Sequence, residues 1–143
     1  MDKILTLKQK DRIVKKVYRS YKSAQLDILY LNQHYNFYPQ VDLCKVKENS
    51  ESYQKPDSSF LIHLERKQSL ESFIGVINQV HSHLSKETYF FIENEYLNFY
   101  DSTWWLPYFS RASYYRIKHR ALDEFIGYLK SFWSEEQILS LLN

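Results

Sequence analysis

The sequence predicts an all-α chain, a helical bundle with a long N-terminal helix and a C-terminal pair of helices joined by a turn. Three observations carry this. Only 2 of 143 residues are glycine and 3 are proline, too few for a chain of tight hairpins, which need residues free to adopt positive φ. Apolar residues recur every three or four positions over long stretches, the spacing of one helix face rather than the alternation of a strand. Serines stand directly ahead of several of those stretches, where a side-chain oxygen caps free backbone N–H groups.

The first helix spans about Leu7 to Phe37. Ile13, Val17, Tyr21, Ala24, Ile28, Leu31 and Tyr35 form its apolar face, and Lys and Arg fill the other side of its first half. It ends before Pro39. Residues 39–57, punctuated by Pro39 and Pro56, read as a polar linker, with a short strand over Val41–Val46 as the alternative. A second helix starts at Asp57 or Ser58 and reaches about Leu84 on Phe60, Leu64, Leu70, Phe73, Ile74 and Ile77, with Ser69 as a candidate cap for a break. A third, capped by Ser85, extends to about Phe99 with Phe90, Phe91 and Leu97 inward. A short fourth helix fits 102–109, and a fifth opens after Ser110 and continues towards Trp133. Ser134-Glu135-Glu136-Gln137 has the form of a capping box ahead of a last apolar turn. The chain thus divides into a basic N-terminal helix (1–38), a linker (39–57) and a helical domain (58–143).

Charge is unevenly placed. The net charge is only +2, yet residues 1–22 hold eight Lys or Arg against Asp2 and Asp11, and Arg111, Arg116, Lys118 and Arg120 cluster without an acid between them. Residues 39–100 carry six Lys or Arg against nine Asp or Glu. Two basic zones around an acidic middle point to an anionic partner met at defined places, against the plainer reading of solvated faces. The single Cys44 rules out an intrachain disulfide, and no window approaches eighteen apolar residues. With no apolar signal-peptide centre in the first dozen residues, the expectation is a soluble, cytoplasmic protein without membrane contact.

Residues 101–125, DSTWWLPYF then SRASYYRIKHRALDEF, have the layout of a helix-turn-helix, whose second helix lies in the DNA major groove. Tyr114, Ile117, Ala121, Leu122 and Phe125 share the inward face. Arg111, Ala112, Tyr115, Arg116 and His119 share the outward one. Arg116 suits guanine O6 and N7 or a phosphate, and Ser110 and Ser113 stand where a helix N-terminus takes a phosphate oxygen. Lys118 and Arg120 project sideways, suited to phosphate or to a protein. The alternative is a bundle helix with a solvated basic face.

Ser110-x-x-Ser113-Tyr114-Tyr115-Arg116-x-Lys118-x-x-Ala121-Leu122-x-x-Phe125 resembles the C-terminal signature of ArpU-type phage transcriptional regulators. More distantly it is similar to the sigma region 4 helix-turn-helix, and the Trp104-Trp105 pair is similar to a feature of short mollicute proteins. The match covers about 25 residues. It implies sequence-specific binding to double-stranded DNA and regulation of transcription, with Arg111, Ala112, Tyr115 and Arg116 facing the groove. The chain departs from the pattern in the turn, where Pro107-Tyr108-Phe109 replaces the usual glycine.

Elsewhere the sequence offers no catalytic constellation, cofactor fingerprint or phosphate loop. His81 and His83 are two apart and fall on different helix faces, so no metal is expected. Glu87, Glu93 and Glu95 read as a solvated face, and Trp104 and Trp105 as a core anchor beside a half-exposed ring or as a protein-docking patch. The expectation is a non-enzymatic DNA-binding regulator. Docking on RNA polymerase or another basal machine, and non-specific nucleic-acid binding, are the rival readings; a homodimer stays open.

Overall fold

A computed structural model describes residues 4–35 and 58–143. The linker, its alternative strand and Cys44 lie outside the described residues. All regular elements among those described are helical, and none of the helices is long and apolar enough to cross a membrane.

Helix α1 (Leu7–His34) starts on a capping box: Thr6 Oγ1 accepts from the Gln9 N–H at 3.2 Å, and the Thr6 N–H donates to Gln9 Oε1 at 3.0 Å. It stops at Tyr35, whose φ of −132° and ψ of 136° are extended. The expected positions Ile13, Val17, Tyr21, Ala24 and Leu31 are buried, and the stripe is wider than the pattern alone indicated, because Val14 and Tyr18 are buried too.

Helix α2 (Ser58–His83) is continuous through Ser69, which is exposed and caps nothing. A serine inside a helix costs only a few tenths of a kcal/mol, and packing along α1 outweighs it. Helix α3 (Lys86–Ile92) follows after two residues, capped by Ser85, and passes directly into a π turn over Glu93–Leu97 closed by Asn98 N–H to Glu93 O at 2.6 Å. Helix α4 (Arg111–Leu129) is capped by Ser110, and the short α5 (Glu135–Ser140) carries the predicted capping box of Ser134 and Gln137. Where the pattern extended α4 towards Trp133, the last four residues form turns instead, with Phe132 N–H and Trp133 N–H both closing on Leu129 O.

The expected helix at 102–109 is not a regular helix. The chain there runs through successive turns: Trp104, Leu106 and Tyr108 donate their N–H groups to the carbonyls of Asp101, Thr103 and Trp105. Pro107 explains the change. It has no N–H to reach the Thr103 carbonyl, as an α-helix requires, so Leu106 takes that carbonyl and the turns stay tighter.

One core joins these pieces. Tyr18 from α1, Ile77 and Val80 from α2, Phe91 and Ile92 from α3, and Leu122 and Phe125 from α4 all lie within it. α1 packs along α2, and α4 packs against α1, α2 and α3, while the π turn meets α4 through Glu95.

Candidate nucleic-acid interface

α4 has one face held and one face open. On the held face, Tyr114 donates its hydroxyl to both oxygens of Glu95 at 2.8 Å, and Trp104 Nε1–H donates to Glu95 Oε2 at 2.9 Å. Trp105 stacks on Tyr114 with ring centroids 4.7 Å apart and donates its own Nε1–H to the Ser102 carbonyl. Both tryptophans are therefore half-buried supports of α4. Burial and the Glu95 carboxylate push the Tyr114 hydroxyl well above its ordinary pKa, so it stays a donor.

Lys118 belongs to this held face. Its side chain is only 14% exposed, lies 3.3 Å from Asp11 and 3.9 Å from Glu95, and sits over the Tyr114 ring. Tyr96 donates to Asp11 at 2.6 Å, and Lys15 pairs with the other Asp11 oxygen at 3.1 Å. Burial alone would raise Asp11. The Tyr96 hydrogen bond and the charges of Lys118 and Lys15 outweigh it and hold the carboxyl below its ordinary range. Lys118 thus ties α4 to α1 rather than reaching sideways to solvent.

Glu124 makes a second tie. It accepts from Ser85 N–H at 2.7 Å, Ser85 Oγ at 3.2 Å and the buried Thr88 hydroxyl at 2.6 Å, which fastens the start of α3 to α4. Arg120 pairs with Glu87 of α3 at 2.6 Å, with both side chains more than half exposed. An exposed pair of this kind is worth little and can be exchanged for another anion.

The open face carries Arg111, Ala112, Tyr115, Arg116 and His119, all exposed, with Tyr115 at 44%. Arg111 and Arg116 meet no carboxylate among the described residues; Arg116 instead donates to Ser113 Oγ at 3.3 Å. Ser110 Oγ accepts from Ser113 N–H at 3.2 Å and donates to Ser113 Oγ at 3.0 Å. The N–H groups of Arg111 and Ala112 have no helical partner, as at the start of any helix. Of the nine residues the sequence brought forward, seven gather on this open end, while Lys118 is turned into the body and Arg120 reaches α3.

Asp11 and Glu95 are what the sequence reading passed over. Glu95 is 13% exposed and not part of a solvated face. A signal for it was present, since Thr88, Phe91, Ile92, Glu95 and Tyr96 follow one helical stripe in which Glu95 is the acid. His81 and His83 do part company: His81 Nε2 lies 2.6 Å from the Tyr18 hydroxyl, and His83 stacks on Tyr128.

Acid is expected to loosen this assembly in two stages. Burial lowers the His81 pKa below its ordinary 6.5, so the unfolded chain takes up the proton first and stability falls as pH drops through that value. For Glu124, burial would raise the pKa, but Thr88, Ser85 and Arg120 outweigh it and lower it from 4.5. Asp11 is lowered from 3.8. Their contribution is complete above those values and is lost below them. Urea unfolding at about pH 7.5, 5.5 and 4 checks this; a midpoint that holds or rises on acidification would contradict it.

No family model matches this chain, and neither does any curated protein or solved structure.

Proposed function

We propose that the chain is a cytoplasmic, sequence-specific DNA-binding regulator of transcription that sets the N-terminal face of α4 into a major groove. One observation carries this reading. Arg111 and Arg116 stand without a carboxylate among the described residues, beside exposed Ala112, Tyr115 and His119, on a helix whose other face is fastened by Glu95, Asp11 and Glu124. Rigid presentation of unneutralised arginines suits base readout, because a fixed fork can choose guanine while a mobile one cannot. Ser110 and Ser113 would hold backbone phosphate, and Arg120 would join them by leaving Glu87. The resemblance of 110–125 to ArpU-type and sigma region 4 helices supports the same reading.

Selection of bound duplexes from a random library, run on the wild type and on Arg116→Ala, tests it. The wild type is expected to enrich a defined motif, and the variant to lose about 1–3 kcal/mol of discrimination at one position, roughly 5- to 150-fold. A palindromic motif would indicate a homodimer and a single half-site a monomer. If no sequence is enriched, base readout by α4 is wrong.

A second reading rests on Leu106 and Tyr108, which are 59% and 62% exposed, with Tyr108 against the Phe90 ring. It has this apolar edge dock on RNA polymerase or another protein, and it predicts partner binding that Tyr108→Ala abolishes and Arg116→Ala spares.

A further inference from the structure

Lys8, Arg12, Lys15, Arg19 and Lys22 follow one another on α1 at intervals of four, three, four and three residues. That spacing sets the five side chains in a single stripe, about 21 Å long at 1.5 Å per residue. All five are exposed. Lys15 pairs with Asp11, and the other four meet no carboxylate among the described residues. Elsewhere on the surface Lys10, Arg66 and Arg120 each have an acidic partner, while Lys86 and Lys130 have none among the described residues; what sets the stripe apart is that its cations stand in a row along one helix.

Two adjoining hollows border the stripe. One of about 460 Å³ is lined by Lys15, Arg19 and Lys22 opposite Tyr18, Tyr96 and Phe99. The other, of about 420 Å³, is lined by Lys8, Arg12 and Lys15 with the α1 N-terminus. The acids at their edges are occupied: Asp11 by Lys15, Lys118 and Tyr96, and Glu95 by Tyr114 and Trp104. Asp11 lies between Lys8 and Lys15 in the chain and touches Lys118, so the stripe runs past the flank of α4.

We propose that this stripe is a second binding surface, a track for one phosphate backbone of the duplex whose groove α4 enters. The inference rests on the α4 reading and deepens it. Five regularly spaced cations over about 21 Å match a linear polyanion with one charge per about 3.4 Å of each strand. They carry no base-reading fork held in place by neighbours, so the track positions the duplex and α4 reads it.

The test measures affinity against salt for a selected duplex and a scrambled one. It compares the wild type, Arg19→Gln/Lys22→Gln, the charge-conserving Arg19→Lys/Lys22→Arg, and Arg116→Ala. Loss of two phosphate contacts should reduce the log–log salt slope by about 1.8 on both duplexes. It should weaken both equally, leaving their ratio unchanged, while the charge-conserving pair keeps the slope. Arg116→Ala should narrow the ratio instead. Since Arg19 and Lys22 are exposed and have no partner among the described residues, the folded state should survive, which thermal melting checks. An unchanged slope in the glutamine variant overturns the track even where sequence preference stands. A reduced slope with no wild-type preference keeps the track and removes base reading by α4. No binding to either duplex overturns the track as well.

Discussion

Replacing Phe125 with alanine is expected to cost about 3–5 kcal/mol, the range for removing a large buried ring from a close-packed core. Phe125 is fully buried on α4 and leans against Tyr18 of α1, with ring centroids 5.4 Å apart. It therefore fills the crossing that joins the N-terminal helix to the helix bearing the open face. Against a net stability of about 5–15 kcal/mol for a domain, such a loss takes about a fifth or more. Phe125→Leu keeps most of the apolar volume and should cost less than half as much. Urea midpoints for the two variants decide this. A loss below about 1.5 kcal/mol for the alanine variant would mean that the crossing is not tightly packed. If α1 instead folds apart from the rest, the variant should unfold in two separate transitions.

The second large effect is expected at Glu95. Its carboxylate takes hydrogen bonds from Tyr114 and Trp104 and faces Lys118. Glu95→Ala leaves two part-buried donors without their acceptor. Hydrogen bonds to a charged group are worth about 1.5–3 kcal/mol each, and an orphaned buried donor adds its desolvation. The bonds share one acceptor, so the combined loss should be about 3 kcal/mol rather than the sum. That corresponds to a fall in Tm of about 10 °C for a chain of this size. Glu95→Gln retains an acceptor oxygen but not the charge, and should lose roughly half as much. Trp104 gives the experiment a local reporter, because its fluorescence should shift as the indole N–H loses its partner. A fall in Tm of less than about 2 °C would show that water replaces Glu95 at little cost, and the view of α4 as a rigidly held helix would have to be given up.

Helix starts, and the inward faces of α1 and α4, were legible along the chain because they are short-range properties. A serine caps an N–H three residues on, and a stripe of Ile13, Val17 and Tyr21 repeats within one turn of itself. Ser85, Ser110 and Ser134 all cap as their positions indicated. The miss at 102–109 has a local cause as well: the capping and apolar signals favoured a helix, and the single missing N–H of Pro107 was enough to replace it with tighter turns.

By itself, then, the sequence determined the helical character of the described residues, the inward face of α1 and α4, and the gathering of Arg111, Ala112, Tyr115, Arg116 and His119 on the outward side of α4, while Phe90, expected inward on α3, is 36% exposed. Only the tertiary structure decided which charges are spent. Asp11, Glu95 and Lys118 are all turned inward, from α1, the π turn and α4, whereas along the chain Glu95 reads as solvated and Lys118 as projecting sideways, and nothing there pairs the three. Their partners lie far apart in the chain: Tyr96 is 85 residues from the Asp11 that it bonds. A charge brought inward stays only if an opposite charge or a donor arrives from another element to offset its lost hydration. Which element arrives is a matter of how α1, the π turn and α4 cross. That crossing turns Lys118 into a tie within the body and leaves Arg111, Arg116 and the cations of α1 facing outward.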